Sequence, residues 1–193
     1  AHLDVRLGDG CGRLLDAVSV ETGMTSRHIA RTALLISLTT VATMIIRIPN
    51  PATHGYINLS DTMIFTVALL FGGAASGLAG GIGAALADGL GGYFIWAPWT
   101  LVIKGFEGLI AGTLAARIPD RYTGNRRYLL QTLVLLFAGG WMTLGYYLAG
   151  AVLMGATAAL TEIPGNLFQV GAGVVVALPL AAGLRRALKQ ELL

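Results

Sequence analysis

Long apolar segments, separated by very few charged residues, make up most of this sequence. The stretch from Thr62 to Ala87 runs for 26 residues without a charge. Charged residues are 12% of the chain, about half of the roughly 25% that is usual in soluble domains. Because about 20 consecutive apolar residues form a helix that crosses a bilayer, the sequence predicts an all-α integral membrane protein.

Charged and turn-forming residues divide the apolar sequence into six predicted transmembrane helices. The predicted spans are 28–46, 61–73, 75–90, 100–117, 128–150 and 163–185. Lys and Arg collect in cytoplasmic loops, and such residues cluster before the first span, between the fourth and fifth spans, and after the last. An even number of crossings must separate clusters on one side, so the charge-free stretch holds two spans with a break near 72–74. Both termini are then cytoplasmic.

Residues 1–23 differ in composition from the rest of the chain. They contain Arg and Asp residues throughout and no apolar run long enough for a signal peptide or a span. We expect an N-terminal extension over 1–23, either disordered or upstream of a natural start at Met24, followed by one transmembrane domain over 24–193. A short cytoplasmic tail is the alternative.

Several function classes receive little support from the composition. One cysteine, Cys11, and three scattered histidines predict no disulfide, no metal site and no cofactor. The net charge of +3 comes from basic residues that flank apolar runs, which membrane topology explains without a nucleic-acid partner. No P-loop, nucleophile elbow or metalloprotease motif is present. We therefore expect a protein that is not an enzyme and has no ATPase of its own.

Two stripes of polar side chains interrupt the predicted spans. The stripes, each spaced i, i+4, i+7 on one helical face, are Thr100, Lys104 and Glu107, and Glu162, Asn166 and Gln169. A charged side chain at the bilayer centre costs about 2.5–3.5 kcal/mol on insertion scales, so such residues need a partner or a function. The stripes predict a shared polar cavity. Simple pairing of Lys104 with Glu107 is the alternative.

Three further polar residues lie near the ends of predicted spans. Asn58 and Asp61 are found where the first outer loop, 47–60, enters the second span, and Asp88 closes the third. The prolines and glycine of that loop disfavour helix and predict a structured loop. Binding is one role for these side chains; helix capping is the other, and it is the role that we expect for Ser60, with Asp61 as the second candidate cap.

The second outer loop is aromatic. Tyr93, Trp96 and Trp99 could belong to the interfacial belt that is common in membrane proteins. They could also stack on a flat ligand, since small-molecule sites are mostly apolar pockets with a few convergent polar groups.

The third span is rich in small residues at helical spacing. Gly77 and Gly81 lie on one row of it, and Ala33 and Ser37 are spaced in the same way on the first span. Small residues allow helices to approach closely in lipid. Packing within the chain explains such a pattern, and so does a docking surface for another membrane subunit.

Several segments carry a resemblance to a known family. They are 56–61 (YINLSD), 68–72 (ALLFG), 80–88 (GGIGAALAD), 92–93 (GY), 96–100 (WAPWT), 103–105 (IKG) and 162–169 (EIPGNLFQ). This pattern resembles the substrate-binding S components of energy-coupling factor (ECF) transporters. It is most similar to the subgroup linked to riboflavin, pyridoxine and hydroxymethylpyrimidine uptake.

The resemblance implies a six-helix, vitamin-binding protein of the prokaryotic cytoplasmic membrane, whose outward pocket is covered by the first outer loop. Such proteins work with a transmembrane coupling subunit and two cytoplasmic ATPases. Docking in the family often uses Ala-x-x-x-Ala on the first helix, and Ala33-x-x-x-Ser37 departs from that pattern. The expected docking residues here are Ala33, Ser37, Gly77 and Gly81.

The candidate substrate-binding residues combine the polar stripes with the residues of the outer loops. They are Asn58, Asp61, Asp88, Tyr93, Trp96, Trp99, Lys104, Glu107, Glu162, Asn166 and Gln169. Aromatic rings beside hydrogen-bonding groups suit a small heteroaromatic ring, so we expect a pyridoxine-like or pyrimidine-like vitamin. A membrane scaffold without a ligand is the alternative, and a channel has little support because no ion path is evident.

Overall fold

A computed structural model describes residues 26–190 of the chain. Within that range there are seven helices and one two-stranded sheet. In chain order they are α1 (Ser26–Ile45), β1 (Arg47–Asn50), β2 (Gly55–Asn58), α2 (Ser60–Phe71), α3 (Gly73–Leu90), α4 (Ala97–Ala116), α5 (Gly124–Met154), α6 (Ala156–Ala159) and α7 (Glu162–Gln190). The predictions about residues 1–23 and a start at Met24 lie outside the described residues.

The chain is a mostly helical membrane protein. Four helical segments of the described range are long and apolar enough to cross a bilayer: Ser26–Ile45, Ala97–Ala116, Gly124–Met154 and Ala156–Ala187. Large apolar side chains are exposed on these helices, for example Phe137 (65%) and Val175 (72%). Exposed apolar surface on this scale is typical of proteins that contact membranes or partners, and lipid is the medium in which it carries no hydrophobic penalty.

A single glycine separates α2 from α3. The predicted break near 72–74 is confirmed, since α2 ends at Phe71 and α3 begins at Gly73. Gly72 has φ +81° and ψ −173°, a backbone conformation that only glycine adopts without strain. Its N–H still donates to the Ala68 carbonyl at 3.2 Å. The chain therefore changes direction here within one residue.

Glycines allow α3 and α4 to pack almost backbone to backbone. A Cβ atom at Gly80 would lie 2.8 Å from the Lys104 carbonyl oxygen, and one at Gly81 would lie 2.8 Å from that of Leu101. Close approach of this kind is how helices associate in lipid. The close contact therefore fixes the position of the polar residues of α4 relative to α3.

The residues predicted for partner docking have different surroundings. Gly77 and Gly81 lie in the contact with α4, where a Cβ atom at Gly77 would be 3.1 Å from the Gly105 oxygen. These contacts agree with packing within the chain, the alternative prediction, and the docking role of the two glycines stays a prediction. Ala33 and Ser37 are exposed on α1, and their docking role stays a prediction.

The first outer loop folds into a β-hairpin. Strands β1 and β2 pair antiparallel, with Arg47 opposite Asn58 and Asn50 opposite Gly55. The Asn50 side-chain oxygen accepts the Ala52 N–H at 3.1 Å, which is a common way for Asn to stabilise a turn. The sequence predicted a structured, non-helical loop here, but it did not predict strands.

Capping of α2 by Ser60 or Asp61 is wrong. The N-cap residue is Leu59, which makes no side-chain cap, and the Ser60 hydroxyl donates to the Asp61 carboxylate at 3.3 Å. The Asn58 side-chain oxygen instead accepts the Ser60 N–H at 2.8 Å. Asp61 is thereby left to bind groups on other helices.

Helix α2 is the most enclosed of the longer helices. It is packed against α3, α4 and α7, and Ile64 and Phe65 are fully buried in the main apolar cluster. In α1, the Thr40 hydroxyl donates to the Gly83 carbonyl at 2.9 Å and so joins that part of the helix to α3. Residues 26–34 form the first turns of α1, where the Thr32 hydroxyl donates to the His28 carbonyl at 2.9 Å.

Candidate functional site

A cavity lies under the hairpin, with walls from α1, α3, α4, α5 and α7 and from the Trp96 loop. Its lining residues are Thr43, Gly55, Tyr56, Asn58, Ala84, Asp88, Trp96, Thr100, Tyr146, Glu162, Asn166 and Gln169. The empty space, counted out to the mouth, is about 410 Å³.

The cavity brings together six of the eleven residues that the sequence singled out for binding. These six are Asn58, Asp88, Trp96, Glu162, Asn166 and Gln169. The other five lie outside the lining: Asp61, Tyr93, Trp99, Lys104 and Glu107. Both polar stripes contribute, because Thr100 lines the cavity together with all three residues of the stripe on α7.

The aromatic residues of the second outer loop have three different environments. Trp96 is buried, its ring lies 5.9 Å from that of Tyr146, and its indole N–H donates to the Thr53 carbonyl at 3.2 Å. Tyr93 packs on Tyr56, with ring centroids 4.4 Å apart. Trp99 is 38% exposed, which agrees with the interfacial-belt interpretation for that residue. The burial of Trp96 does not agree with that interpretation.

Tyr56 of β2 joins the hairpin to the end of α3. Its hydroxyl donates to an Asp88 carboxylate oxygen. The Arg47 guanidinium lies 5.1 Å from the Tyr56 ring centroid and donates to the Ala87 carbonyl at 2.9 Å. Burial raises the pKa of the Tyr56 phenol, and the nearby Asp88 carboxylate raises it further. The phenol therefore stays protonated and remains a hydrogen-bond donor at neutral pH.

Glu162 binds the turn of the hairpin to the start of α7. Its carboxylate accepts hydrogen bonds from the Thr53 hydroxyl and from the Asn50 amide at 3.2 Å. A Cβ atom at Gly55 would lie 2.9 Å from the same carboxylate oxygen, so only glycine fits at that position without displacement. The hairpin thus closes one side of the cavity through contacts with α7.

A buried charge cluster is formed by Asp61, Lys104 and Glu107. The predicted Lys104–Glu107 pairing is present, with Nζ 3.0 Å from a Glu107 oxygen. Asp61, on α2, forms a second ion pair with Lys104. The three side chains are at most 1% exposed. Lys104 lies between two carboxylates, and the binding roles predicted for these three residues stay predictions.

Gln169 connects this cluster to the hairpin. Its side-chain nitrogen donates to an Asp61 oxygen at 2.9 Å. Its side-chain oxygen accepts the Asn58 N–H at 2.8 Å. One side chain of the cavity wall therefore contacts both the charge cluster and the last residue of β2.

Two buried polar atoms of the cavity residues have no hydrogen-bond partner among the described residues. They are the Asn166 side-chain nitrogen and one carboxylate oxygen of Asp88. Buried polar groups are nearly always hydrogen-bonded. Together they offer one donor and one acceptor next to the rings of Trp96 and Tyr146. Residues 26–190 contain no group of three or more His, Cys, Asp or Glu side chains able to hold a metal ion.

Sequence reasoning missed half of the cavity lining. The missed residues are Thr43, Gly55, Tyr56, Ala84, Thr100 and Tyr146. Thr100 could have been included because it belongs to the polar stripe on α4, and Tyr56 belongs to the YINLSD segment. Tyr146 gave no signal, since a tyrosine inside an apolar run is common at many kinds of position.

An internal cavity lined by aromatic and polar side chains, in a mostly helical membrane protein, is typical of membrane binding or transport components. Comparison with known families supports this class. Residues 23–186 match the family described as "ECF-type riboflavin transporter, S component". The chain belongs to this family of transporter S components, so it is a membrane transport protein for vitamins.

Two relatives illustrate the similarity. The chain is 44% identical over 137 residues to a Pyrococcus woesei protein described as "Uncharacterized protein in gap 3'region", covering 71% of this chain and 87% of that protein. It is 30% identical over 167 residues to "Thiamine precursor transporter HmpT" of Lactococcus lactis subsp. cremoris (strain MG1363). The second match covers 84% of this chain and 92% of the relative.

Proposed function

We propose that this chain captures a single-ring heteroaromatic vitamin or vitamin precursor, pyridoxine-like or pyrimidine-like, in the cavity under the hairpin. The observation that carries the proposal is the composition of the cavity wall. Aromatic rings stand beside an unpaired donor on Asn166 and an unpaired acceptor on Asp88. A flat ring with ring nitrogens and amine or hydroxyl substituents matches both features.

One relative guides the choice of the first compounds to test. It is named a thiamine precursor transporter, which is consistent with a single-ring vitamin precursor. We therefore favour hydroxymethylpyrimidine or pyridoxine as the first compounds to test.

The binding roles follow from the contacts. Trp96 and Tyr146, whose rings are 5.9 Å apart, would pack against the substrate ring. Asn166 would donate to a ring nitrogen or hydroxyl, and Asp88 would accept from an amine or hydroxyl. Glu162 would hold the hairpin closed through the Thr53 hydroxyl.

The proposed arrangement in the membrane has six spans, α1 to α5 and α7, with both termini in the cytoplasm. The arginines at 117–127 and 185–186 then lie inside, as the positive-inside rule requires. The hairpin and the cavity face the outside of a prokaryotic plasma membrane. Transport would require a transmembrane coupling subunit and two cytoplasmic ATPases, because we assign no ATPase to this chain. Residues 24–193 would form the six-helix substrate-binding domain.

Mass spectrometry of the small molecules released from the purified, denatured protein tests the proposal. We expect a stoichiometric single-ring heteroaromatic vitamin or precursor. A protein that releases none, and that shows no thermal shift with hydroxymethylpyrimidine, pyridoxine or riboflavin, would instead support a scaffold role.

The variant Asn166→Ala tests the site itself. It removes the unpaired donor from the cavity wall, so we expect at least tenfold weaker binding of the released compound in isothermal titration calorimetry. Asn125→Ala, which changes an exposed asparagine at the start of α5, is the matched control and should bind normally. Equal affinity of both variants would place the ligand elsewhere.

A further inference from the structure

Gln169 has a fixed orientation in the cavity wall. A backbone N–H can only donate, so the Asn58 N–H at 2.8 Å requires the side-chain oxygen of Gln169 on that side. The side-chain nitrogen must then face Asp61, whose carboxylate accepts from it at 2.9 Å. Rotating the amide by half a turn would place two donors against each other at Asn58 and two acceptors against each other at Asp61.

Asp61 is itself held in place as an acceptor. Three donors point at the same carboxylate oxygen, from the Lys104 ammonium, the Ser60 hydroxyl and the Gln169 amide. Lys104 is also 3.0 Å from Glu107, which anchors its position on α4. The carboxylate cannot turn away from Gln169 without breaking an ion pair that is almost completely buried.

The contacts form one continuous path from α4 to the hairpin. It runs from Lys104 through Asp61 and Gln169 to Asn58, which ends β2 and itself lines the cavity. We propose that Asp61 is a positioning residue for this binding site. It does not touch the substrate, but it orients Gln169, and Gln169 in turn fixes both the wall of the cavity and the end of the hairpin.

This inference rests on the proposed function for its effect on affinity, but the path itself exists without a ligand. Asp61→Leu removes the acceptor and leaves the Lys104 ammonium paired with the Glu107 carboxylate, one positive charge with one negative charge. Asp61→Asn removes the charge but keeps a side-chain oxygen for Gln169. Both variants remove the charge of Asp61, but only Asp61→Leu removes the hydrogen-bond acceptor. Comparing them therefore shows which of the two properties binding requires.

Binding is measured for hydroxymethylpyrimidine and for pyridoxine by titration calorimetry. For whichever compound the unmodified protein binds, we expect Asp61→Leu to weaken binding at least tenfold and Asp61→Asn less than threefold. In a Gln169→Ala background, Asp61→Leu should cause no further loss, since residues that act through one another give non-additive effects. Thr66→Val is the control on the same helix, because within residues 26–190 the Thr66 hydroxyl donates only to the Thr62 carbonyl of α2.

Hydrogen exchange of the Asn58 amide in the ligand-free protein gives an independent measurement. We expect faster exchange in Asp61→Leu and in Gln169→Ala, and unchanged exchange in Asp61→Asn and Thr66→Val. Additive losses of affinity, or unchanged exchange in Asp61→Leu, would overturn the positioning role. If the unmodified protein binds neither compound, the substrate proposal fails, while the exchange measurement still decides the role of Asp61.

Discussion

Replacing Lys104 by methionine should cost the protein much of its stability. The Lys104 side chain is 1% exposed and is the common partner of Asp61 and Glu107, which are fully buried. Methionine keeps the length of the side chain but leaves two carboxylates without a cation. Removing one partner of a buried ion pair typically costs about 3–5 kcal/mol, because an uncompensated charge stays in the interior.

Thermal unfolding in mild detergent, followed by tryptophan fluorescence, measures this effect. For chains of 150–250 residues, each kcal/mol shifts Tm by about 2–4 °C, so a fall of roughly 6–20 °C is expected for Lys104→Met. The triple variant Asp61→Asn, Lys104→Met, Glu107→Gln removes all three charges and should recover most of the loss. A fall below about 3 °C for Lys104→Met, or a triple variant less stable than the single one, would refute the reasoning.

Two further predictions concern packing and the hairpin. Gly108→Ala would place a Cβ atom 2.6 Å from the backbone carbonyl carbon of Ser76, so it should lower Tm clearly. The control is Gly140→Ala, where a Cβ atom would have no neighbour within 4 Å, and its Tm should be unchanged or slightly raised. Equal Tm values for the two variants would argue against the close α3–α4 contact. Trp96→Phe keeps a ring but loses the hydrogen bond to the Thr53 carbonyl. Losing one hydrogen bond costs a net of about 0.5–1.5 kcal/mol, which predicts ligand release roughly 2- to 13-fold faster. Stopped-flow fluorescence measures the release rate. An unchanged rate would show that this bond does not hold the hairpin.

The helices were predictable because the membrane imposes a simple rule on composition. Segments that cross lipid must be apolar and must satisfy their own backbone hydrogen bonds, so charged and turn-forming residues mark most of their ends. The break at Gly72 followed from the positions of arginines far away in the sequence, at 27–31 and 117–127. The polar stripes on α4 and α7 were visible for the same reason, since polar groups at membrane depth are rare.

The pairing of those polar groups could not be predicted. Lys104 has an acidic neighbour three residues away, and the sequence suggested that pair, but its second partner, Asp61, is 43 residues away. The contact between Thr53 and Glu162 joins residues 109 apart. Such contacts depend on how helices pack, which periodicity does not encode. The strands of the hairpin are four residues each, too short to give a clear alternating pattern.

The length of α2 has a consequence for how far a substrate must travel. This helix has 12 residues and, at 1.5 Å per residue, reaches about 18 Å, while the hydrocarbon core of a bilayer is about 30 Å thick. In the proposed orientation α2 ends on the cytoplasmic side, so its first residue lies well below the outer surface. In that orientation the cavity beside this residue would be sunk into the bilayer. A molecule that binds there would have passed roughly two-fifths of the hydrocarbon barrier before any subunit moves. The hairpin would take the place of the missing turns of helix above it.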